Sequence, residues 1–226
     1  MQLAVTHDRS VADDRLGLEF AQRPWYSYSS GLKRALDIFL ALVGIAATLP
    51  LWIAIAIAIK IESRGPIFFV QKRVGRNMSP FPFIKFRSMH TDAEERRQQL
   101  LHLNQVSGPV FKIRRDPRVT RVGRILRRSS LDELPQLINV LRGEMSVVGP
   151  RPPTPNEVAK YRPVDMIRLS IRPGLTCWWQ IRGRSDVDFD TWMEYDREYV
   201  SGISLVTDLR IILGTFTAVL SGRGAY

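Results

Sequence analysis

Polar and apolar positions are spread unevenly along this chain, and the longest uniform block comes early. Residues 38–59, IFLALVGIAATLPLWIAIAIAI, carry no charge. A soluble core helix keeps a polar stripe; this block has none, and it is long enough to cross a membrane. Pro50 falls near its middle, where it removes a backbone donor and crowds the preceding turn. Thr48 can pair with backbone freed there. Lys33 and Arg34 precede the block, Lys60 and Arg64 follow it, and positive flanks mark cytoplasmic ends. The pattern predicts a re-entrant membrane helix, helix–break–helix over 31–62, with the break at Pro50. A straight span is the alternative. Asp37 can pair with Lys33 or Arg34 at helical spacing.

Residues 1–30 are polar, mixed in charge and without a secretory signal pattern, and read as a mobile cytosolic arm. After the block, GPIFFVQKRVG and PFPFIKFRSM predict two short strands around a loop at Gly75–Pro82. Thr91 to Glu94 has capping-box spacing and predicts a helix to about Gln105. Arginines then recur at 114, 115, 118, 121, 124, 127 and 128, and from Arg118 on their spacing puts several on one helix face. QLINVLRG predicts a helix stopped by Gly143. VVGPRPPTP reads as rigid and extended, since a residue before proline disfavours helix. FDTWMEYDREYV and SLVTDLRIILGTFTAVLSG are helical by pattern. In the second, Leu205, Leu209, Ile212, Phe216 and Val219 share a face that could lie on a membrane or pack on the core. The fold class expected is α+β: a mostly helical membrane-associated domain over 63–226, with a small β element and amphipathic interfacial helices.

Charge narrows the partners. The chain of 226 residues has 33 Lys plus Arg against 22 Asp plus Glu, a net charge of +11. Such an excess suits polyanions: nucleic acid, anionic lipid or phosphorylated substrates. The arginine run lacks interleaved aromatics and any recognisable nucleic-acid motif, so no nucleic-acid partner is expected. It could equally be a solvated basic face or a patch for acidic lipid. Cys177 is the only cysteine, which excludes an internal disulfide and a cysteine-based zinc site.

Within that basic background RRSSLDELPQ, residues 127–136, places Asp132 beside Glu133. Ser130 to Glu133 has capping-box spacing, so the acids can belong to a helix start. Pro135 argues otherwise if it begins the helix, because the pair then lies just outside. There the arginines favour the ionised carboxylate. An ionised Asp is a competent nucleophile toward phosphorus, and a neighbouring Glu can hold Mg2+. The pattern alone leaves both readings open.

Longer blocks carry a resemblance. KRxxD at Lys33–Asp37, KFRSM at 85–89, DPRVTRVGRILRRSSLDELPQLINVLRGEMSVVGPRP at 116–152 and GLTCWWQIRGR at 174–184 resemble bacterial monotopic phosphoglycosyl transferases. The likeness covers roughly 30–226, and without a leading bundle of transmembrane helices it is similar to the short, catalytic-domain form. It implies transfer of sugar-1-phosphate from a UDP-sugar to polyprenyl phosphate with release of UMP, at the cytoplasmic face of the inner membrane. By the same resemblance Asp132 is the nucleophile that forms a phosphosugar intermediate. Glu133 is implied in Mg2+ binding, and Arg151 between Pro150 and Pro152 in nucleotide binding. Lys85, Gln180, Asp196 and Asp208 fall on family-like site positions, and Pro50 on the helix-breaking proline. Arg87 and Arg184 in the matched blocks, with Arg118 and Arg127, are added as substrate-binding candidates because arginine clamps pyrophosphate bidentately.

Cys177-Trp178-Trp179 departs from the family, where many members have Gly and smaller residues. The loop either touches the sugar or anchors at the membrane interface through its tryptophans. The closing SGRGAY and the short length are more similar to hexose-transferring members of exopolysaccharide pathways, which suggests UDP-glucose or UDP-galactose. Membrane lipids and other glycan-assembly glycosyltransferases are the further partners implied. Two rivals stand beside this reading: a non-enzymatic peripheral protein binding anionic lipid or RNA, and a conventional glycosyltransferase releasing UDP.

Overall fold

A computed structural model describes residues 31–105, 111, 113, 115–183 and 187–221. The expected N-terminal arm therefore lies outside the described residues, as do Arg114 and Arg184. Helix α1 (Lys33–Glu62) leads into a hairpin of β1 (Phe68–Val74) and β2 (Pro80–Phe86). Short α2 (Ala93–Gln99), α3 (Arg121–Arg128) and α4 (Gln136–Arg142) follow. Then come β3 (Ser146–Val148), α5 (Pro155–Val158), β4 (Gly174–Thr176), α6 (Trp178–Arg182), α7 (Phe189–Ser201) and α8 (Leu205–Ser221). The β1–β2 pair is antiparallel, and β3 pairs with β4 in parallel. The mixture of many helices with two small sheets agrees with the α+β class expected.

Helix α1 differs from the expectation at Pro50. Its 30 residues form one helix with Pro50 inside. A proline removes only one rung of the ladder, and side chains strap the turns beside it. The Thr48 hydroxyl donates to the Gly44 carbonyl at 2.6 Å, and the Trp52 indole N–H donates to Thr48 Oγ1 at 3.0 Å. Of its most apolar 18 residues only 11% are buried, which argues against a soluble core helix. Ile38, Phe39, Leu42, Val43, Ile53 and Ile57 all face outward.

Both ends of α1 are nonetheless fastened to the same body. At the start, Lys33 forms a salt bridge with Asp208 of α8, and Tyr199 of α7 donates to the same carboxylate at 2.7 Å. Arg34 donates to the carbonyls of Val140 and Leu141 at 2.6 and 2.9 Å, at the end of α4 where carbonyls lack helical partners. Asp37 accepts from the Ser146 hydroxyl and the Val147 N–H, both at 2.9 Å. It pairs there instead of ion-pairing with Lys33 or Arg34. At the far end, Glu62 accepts from the Arg121 and Val122 N–H groups at 2.6 and 2.9 Å, capping α3. Between these ties, Ala41 joins Phe81, Phe83, Leu137, Val140 and Met145 in one core cluster, and Ile55 and Ile59 join Phe86 and Leu126 in another.

Two helix starts depart from expectation. Thr91 forms no box; Asp92 precedes α2 without a side-chain cap, and α2 ends at Gln99. The capping box that does form is Thr154 with Glu157, opening α5. Gly143 ends α4 at φ 81°, as its position suggested. On α8 the packed side is Asp208 and Ile211, while Leu205, Leu209 and Phe216 of the expected stripe are exposed, together with Val206 and Leu213.

Candidate active site

Asp132 and Glu133 lie in a short 3-10 turn, Leu131–Glu133, ahead of α4. Ser130 enters that turn at φ 56°, in the left-handed region, and its side chain makes no cap bond. An N-cap residue needs extended dihedrals to aim its oxygen at the next turn, so the expected box at Ser130 does not form. Pro135 stands directly before α4. The pair is thus set outside the following helix, and both carboxylates are left for other partners.

Three cations converge on Asp132: Lys85 from β2, Arg127 from the last turn of α3, and Arg151 from the loop after β3. Asp132 is only 7% exposed. Its burial, then the charge of Glu133, pushes its pKa above the ordinary 3.8, against the pull of the three cations. Sequence reasoning expected the arginines to win; burial outweighs them. Lys85 is crowded too, and burial followed by Arg127 brings its ammonium down to about 8. Its Nζ lies 5.3 Å from the centre of the Phe69 ring.

The first turn of α3 explains how Arg127 is aimed. Thr120 caps it by accepting from the Gly123 N–H at 2.9 Å. A Cβ on Gly123 would lie 2.0 Å from the Ser88 carbonyl oxygen, so only glycine lets the helix sit against that backbone. Arg127 Nε then donates to the Ser88 hydroxyl at 3.0 Å.

Arg151 is placed by its backbone. The carbonyl of Pro150 accepts from the Gly174 N–H at 2.9 Å, and that of Arg151 from Arg168 at 2.8 Å. The carbonyl of Pro152 accepts from Arg73 at 3.0 Å, and that of Pro153 from the Val74 N–H at 2.9 Å. Every peptide of this proline-rich loop is therefore held, and the Arg151 guanidinium reaches Glu133 Oε1 at 2.9 Å. Glu133 Oε2 accepts from Gln180 at 3.5 Å, a long contact. Trp179 lies under Arg151, 6.0 Å from ring centre to guanidinium, and packs against Trp192 at 4.7 Å. Trp178 sits beneath Arg182 at 4.0 Å. Both tryptophans are half-buried in contacts within the protein.

The structure gathers Lys85, Arg127, Asp132, Glu133, Arg151 and Gln180, with Pro150 and Pro152 framing the loop. Other sequence candidates are committed elsewhere. Arg87 straps the end of α1, donating to the carbonyls of Arg64 and Ser63 at 2.7 and 2.9 Å. Arg118 forks onto Asp116 at 2.9 and 2.6 Å. Asp208 is the buried partner of Lys33 and Tyr199. Asp196 stands one shell back, paired with Arg168 at 2.8 Å, and burial raises it to about 6 despite that cation. Sequence reasoning missed Arg73, Ser88 and Arg168. Ser88 lies within KFRSM, but nothing marks Arg73 or Arg168 among so many arginines.

For a metal, the described residues hold no group of three or more His, Cys, Asp or Glu side chains. They do hold two adjacent carboxylates beside cations. Mg2+ is commonly bound by one or two carboxylates and completed by substrate phosphates and water, so Asp132 and Glu133 fit that kind of site rather than an all-protein cage.

A buried aspartate with a part-buried glutamate beside it, among arginines and a lysine, is an arrangement for phosphorylated substrates, and the comparisons point the same way. The chain is 45% identical over 203 residues to the galactosyl transferase CpsE of Streptococcus agalactiae, covering 89% of this chain and 45% of that protein. It is 41% identical over 198 residues to the exopolysaccharide production protein ExoY of Rhizobium meliloti, covering 86% of this chain and 88% of ExoY. It is 40% identical over 199 residues to the undecaprenyl-phosphate galactose phosphotransferase of Salmonella typhimurium, covering 86% of this chain and 42% of that enzyme. It thus spans less than half the length of two of these relatives and most of the third. The bacterial sugar transferase family model matches residues 28–222, and with nearly the whole chain accounted for, this protein belongs to that family.

Proposed function

We propose that this protein is a phosphoglycosyl transferase that moves sugar-1-phosphate from a UDP-sugar to polyprenyl phosphate. The observation that carries it is Asp132, buried among Lys85, Arg127 and Arg151 and left free by the helix that follows. An Asp132 oxygen attacks the β-phosphorus of the donor. The bond from that phosphorus to the α-phosphate oxygen breaks, and UMP leaves with the electron pair. A phosphate oxygen of the lipid then attacks the aspartyl-bound phosphorus, forming the lipid diphosphate sugar and restoring Asp132. Such ping-pong chemistry lets two bulky phosphates use one site in turn. Arg151 and Arg127 orient the pyrophosphate, and Lys85 faces the charge gathering at phosphorus. Glu133, with Asp132, would hold Mg2+, which neutralises phosphate oxygens when bound. Galactose in the names of two relatives supports a hexose donor.

Product analysis tests this directly. With UDP-galactose or UDP-glucose and undecaprenyl phosphate, the expected nucleotide product is UMP, formed with Mg2+ and lost on chelation. UDP as product would point to a conventional glycosyltransferase, and no turnover with any UDP-sugar to a non-enzymatic lipid-binding protein.

We also read α1 as embedded in a single leaflet of the inner membrane, with both ends cytoplasmic. A helix of 30 residues is ~45 Å long, enough to cross. Its two ends, however, are hydrogen-bonded to α8, α4 and β3 on one side and to α3 on the other, all parts of one body. A crossing helix would separate them by the whole bilayer. Leu32 and Ile61 are exposed at the two ends, and the natural Cys177 is buried. Cysteines placed as Leu32→Cys and Ile61→Cys should both resist an impermeant thiol reagent applied outside the cell and react once the membrane is opened. Outside labelling of either one would refute the single-leaflet placement.

A further inference from the structure

A second basic site lies away from Asp132, beside the start of α1. The tip of the β1–β2 hairpin and the end of α4 border an open cavity of about 370 Å3, whose walls include Arg76, Arg142 and Arg172. Among the described residues none of these three arginines takes part in a salt bridge, unlike Arg118, Arg151 and Arg168. Arg172 Nε donates to the Gly143 carbonyl at 3.0 Å. Behind the same glycine stands Arg34, whose Nη2 lies 3.6 Å from where a Cβ on Gly143 would be. Four guanidinium groups therefore share one corner of the molecule. One acid lines the cavity, Glu144, and it already accepts from the Asn139 amide at 2.5 Å. Burial, then Arg34 and Arg76, depresses the basicity of Arg172, with Asp37 pulling the other way.

The position of the cavity indicates which anion it suits. Arg34 is in the first turn of α1, and the outward apolar residues Ile38 and Phe39 begin one turn later. Met78 projects from the hairpin tip, 51% exposed, beside Arg76. Phe81 adds an apolar residue to the lining beside the three arginines. We infer that this cavity binds the phosphodiester headgroup of an anionic membrane phospholipid, with its acyl chains running toward α1. Guanidinium groups suit such an oxyanion because they can donate two parallel hydrogen bonds. The inference rests on the single-leaflet reading of α1. It assigns the site no part in catalysis, and it fixes how the catalytic body is seated on the membrane.

The test uses the full chain, transferred from detergent into vesicles of phosphatidylcholine alone or of phosphatidylcholine with a minority of phosphatidylglycerol. The readout is the ratio of the two partition coefficients. Arg76 and Arg142 are exposed, so R76Q/R142Q should fold normally. It should lose the preference for phosphatidylglycerol by roughly ten- to thirtyfold, about fivefold for each cation removed near a membrane surface. Its binding to pure phosphatidylcholine should not change. R124Q/R128Q removes the same charge from the exposed side of α3 and should keep most of the preference. The inference fails if R76Q/R142Q keeps the preference, or if R124Q/R128Q loses as much of it, which would mean diffuse attraction. It fails too if inorganic phosphate at constant ionic strength abolishes the wild-type preference, since the site would then take free phosphate. If wild type does not enter phosphatidylcholine vesicles at all, the reading of α1 is what has failed.

Discussion

Replacing Asp132 with Asn is expected to abolish turnover while leaving the protein folded, membrane-bound and no less stable. Loss of a covalent nucleophile acts on the scale of ~10^4-fold or more in rate. A helix cap is worth only ~1 kcal/mol of stability, and Ser130 makes no cap bond here, so capping could not account for such a loss. Stability sharpens the expectation. The Asp132 pKa is raised above 3.8 in the folded protein by burial and by Glu133. An acid shifted upward contributes stability below its unfolded pKa and loses that contribution as pH rises through the folded value. At neutral pH the ionised carboxylate is thus a burden on the fold, and Asp132→Asn removes it. Melting at neutral pH should occur at the wild-type temperature or above it. The rate should rise with pH through that same raised pKa, because only the ionised form attacks phosphorus. A variant that melts well below wild type, or one that keeps substantial turnover, would show Asp132 to be structural.

The second large effect is expected at Arg151. As a part-buried ion pair with Glu133, the two side chains being 27% and 17% exposed, it would act on the fold, and a change that keeps the pair would alter the rate only a few-fold. As a clamp on pyrophosphate it is worth far more, since removing one donor aimed at transition-state charge costs about 10^2–10^3 in kcat. Arg151→Lys separates the two. The loop stays in place because its carbonyls are held by Gly174, Arg168, Arg73 and Val74, and a lysine still pairs with Glu133. It cannot present two parallel donors. The expected outcome is a folded protein whose kcat/KM falls by about a hundredfold or more. A change of only a few-fold would reduce Arg151 to a structural partner of Glu133.

Much of this was legible in the sequence where the signal is local. The uncharged block gave α1, the turn residues around Gly75 gave the hairpin, and Gly143 marked the end of α4. Local rules failed where tertiary contacts override them. Ser130 has the right spacing for a box, yet it is held left-handed so that the turn after it can present Asp132. Pro50 predicts a break, yet α1 keeps its helical ladder on both sides. Side-chain destinations were the least legible. An arginine reaches far enough to cap α4, strap α1, fork onto Asp116 or face Asp132, and its neighbours in sequence do not say which. Arg87, Arg118 and Asp208 read from sequence as site candidates, and the structure adds hydrogen bonds and ion pairs within the frame, while nothing in the sequence sets Arg73 or Arg168 apart.

If sugar-phosphate is carried on Asp132, the enzyme can be loaded and caught before the lipid arrives. Wild-type protein is given the UDP-sugar with no lipid acceptor, and both the released nucleotide and the mass of the protein are followed. A stoichiometric burst of UMP is expected, together with a hexose-phosphate mass on the peptide containing Asp132, discharged when undecaprenyl phosphate is added. Absence of any burst or adduct in a preparation that turns over with lipid, or an adduct on another residue, would contradict carriage on Asp132.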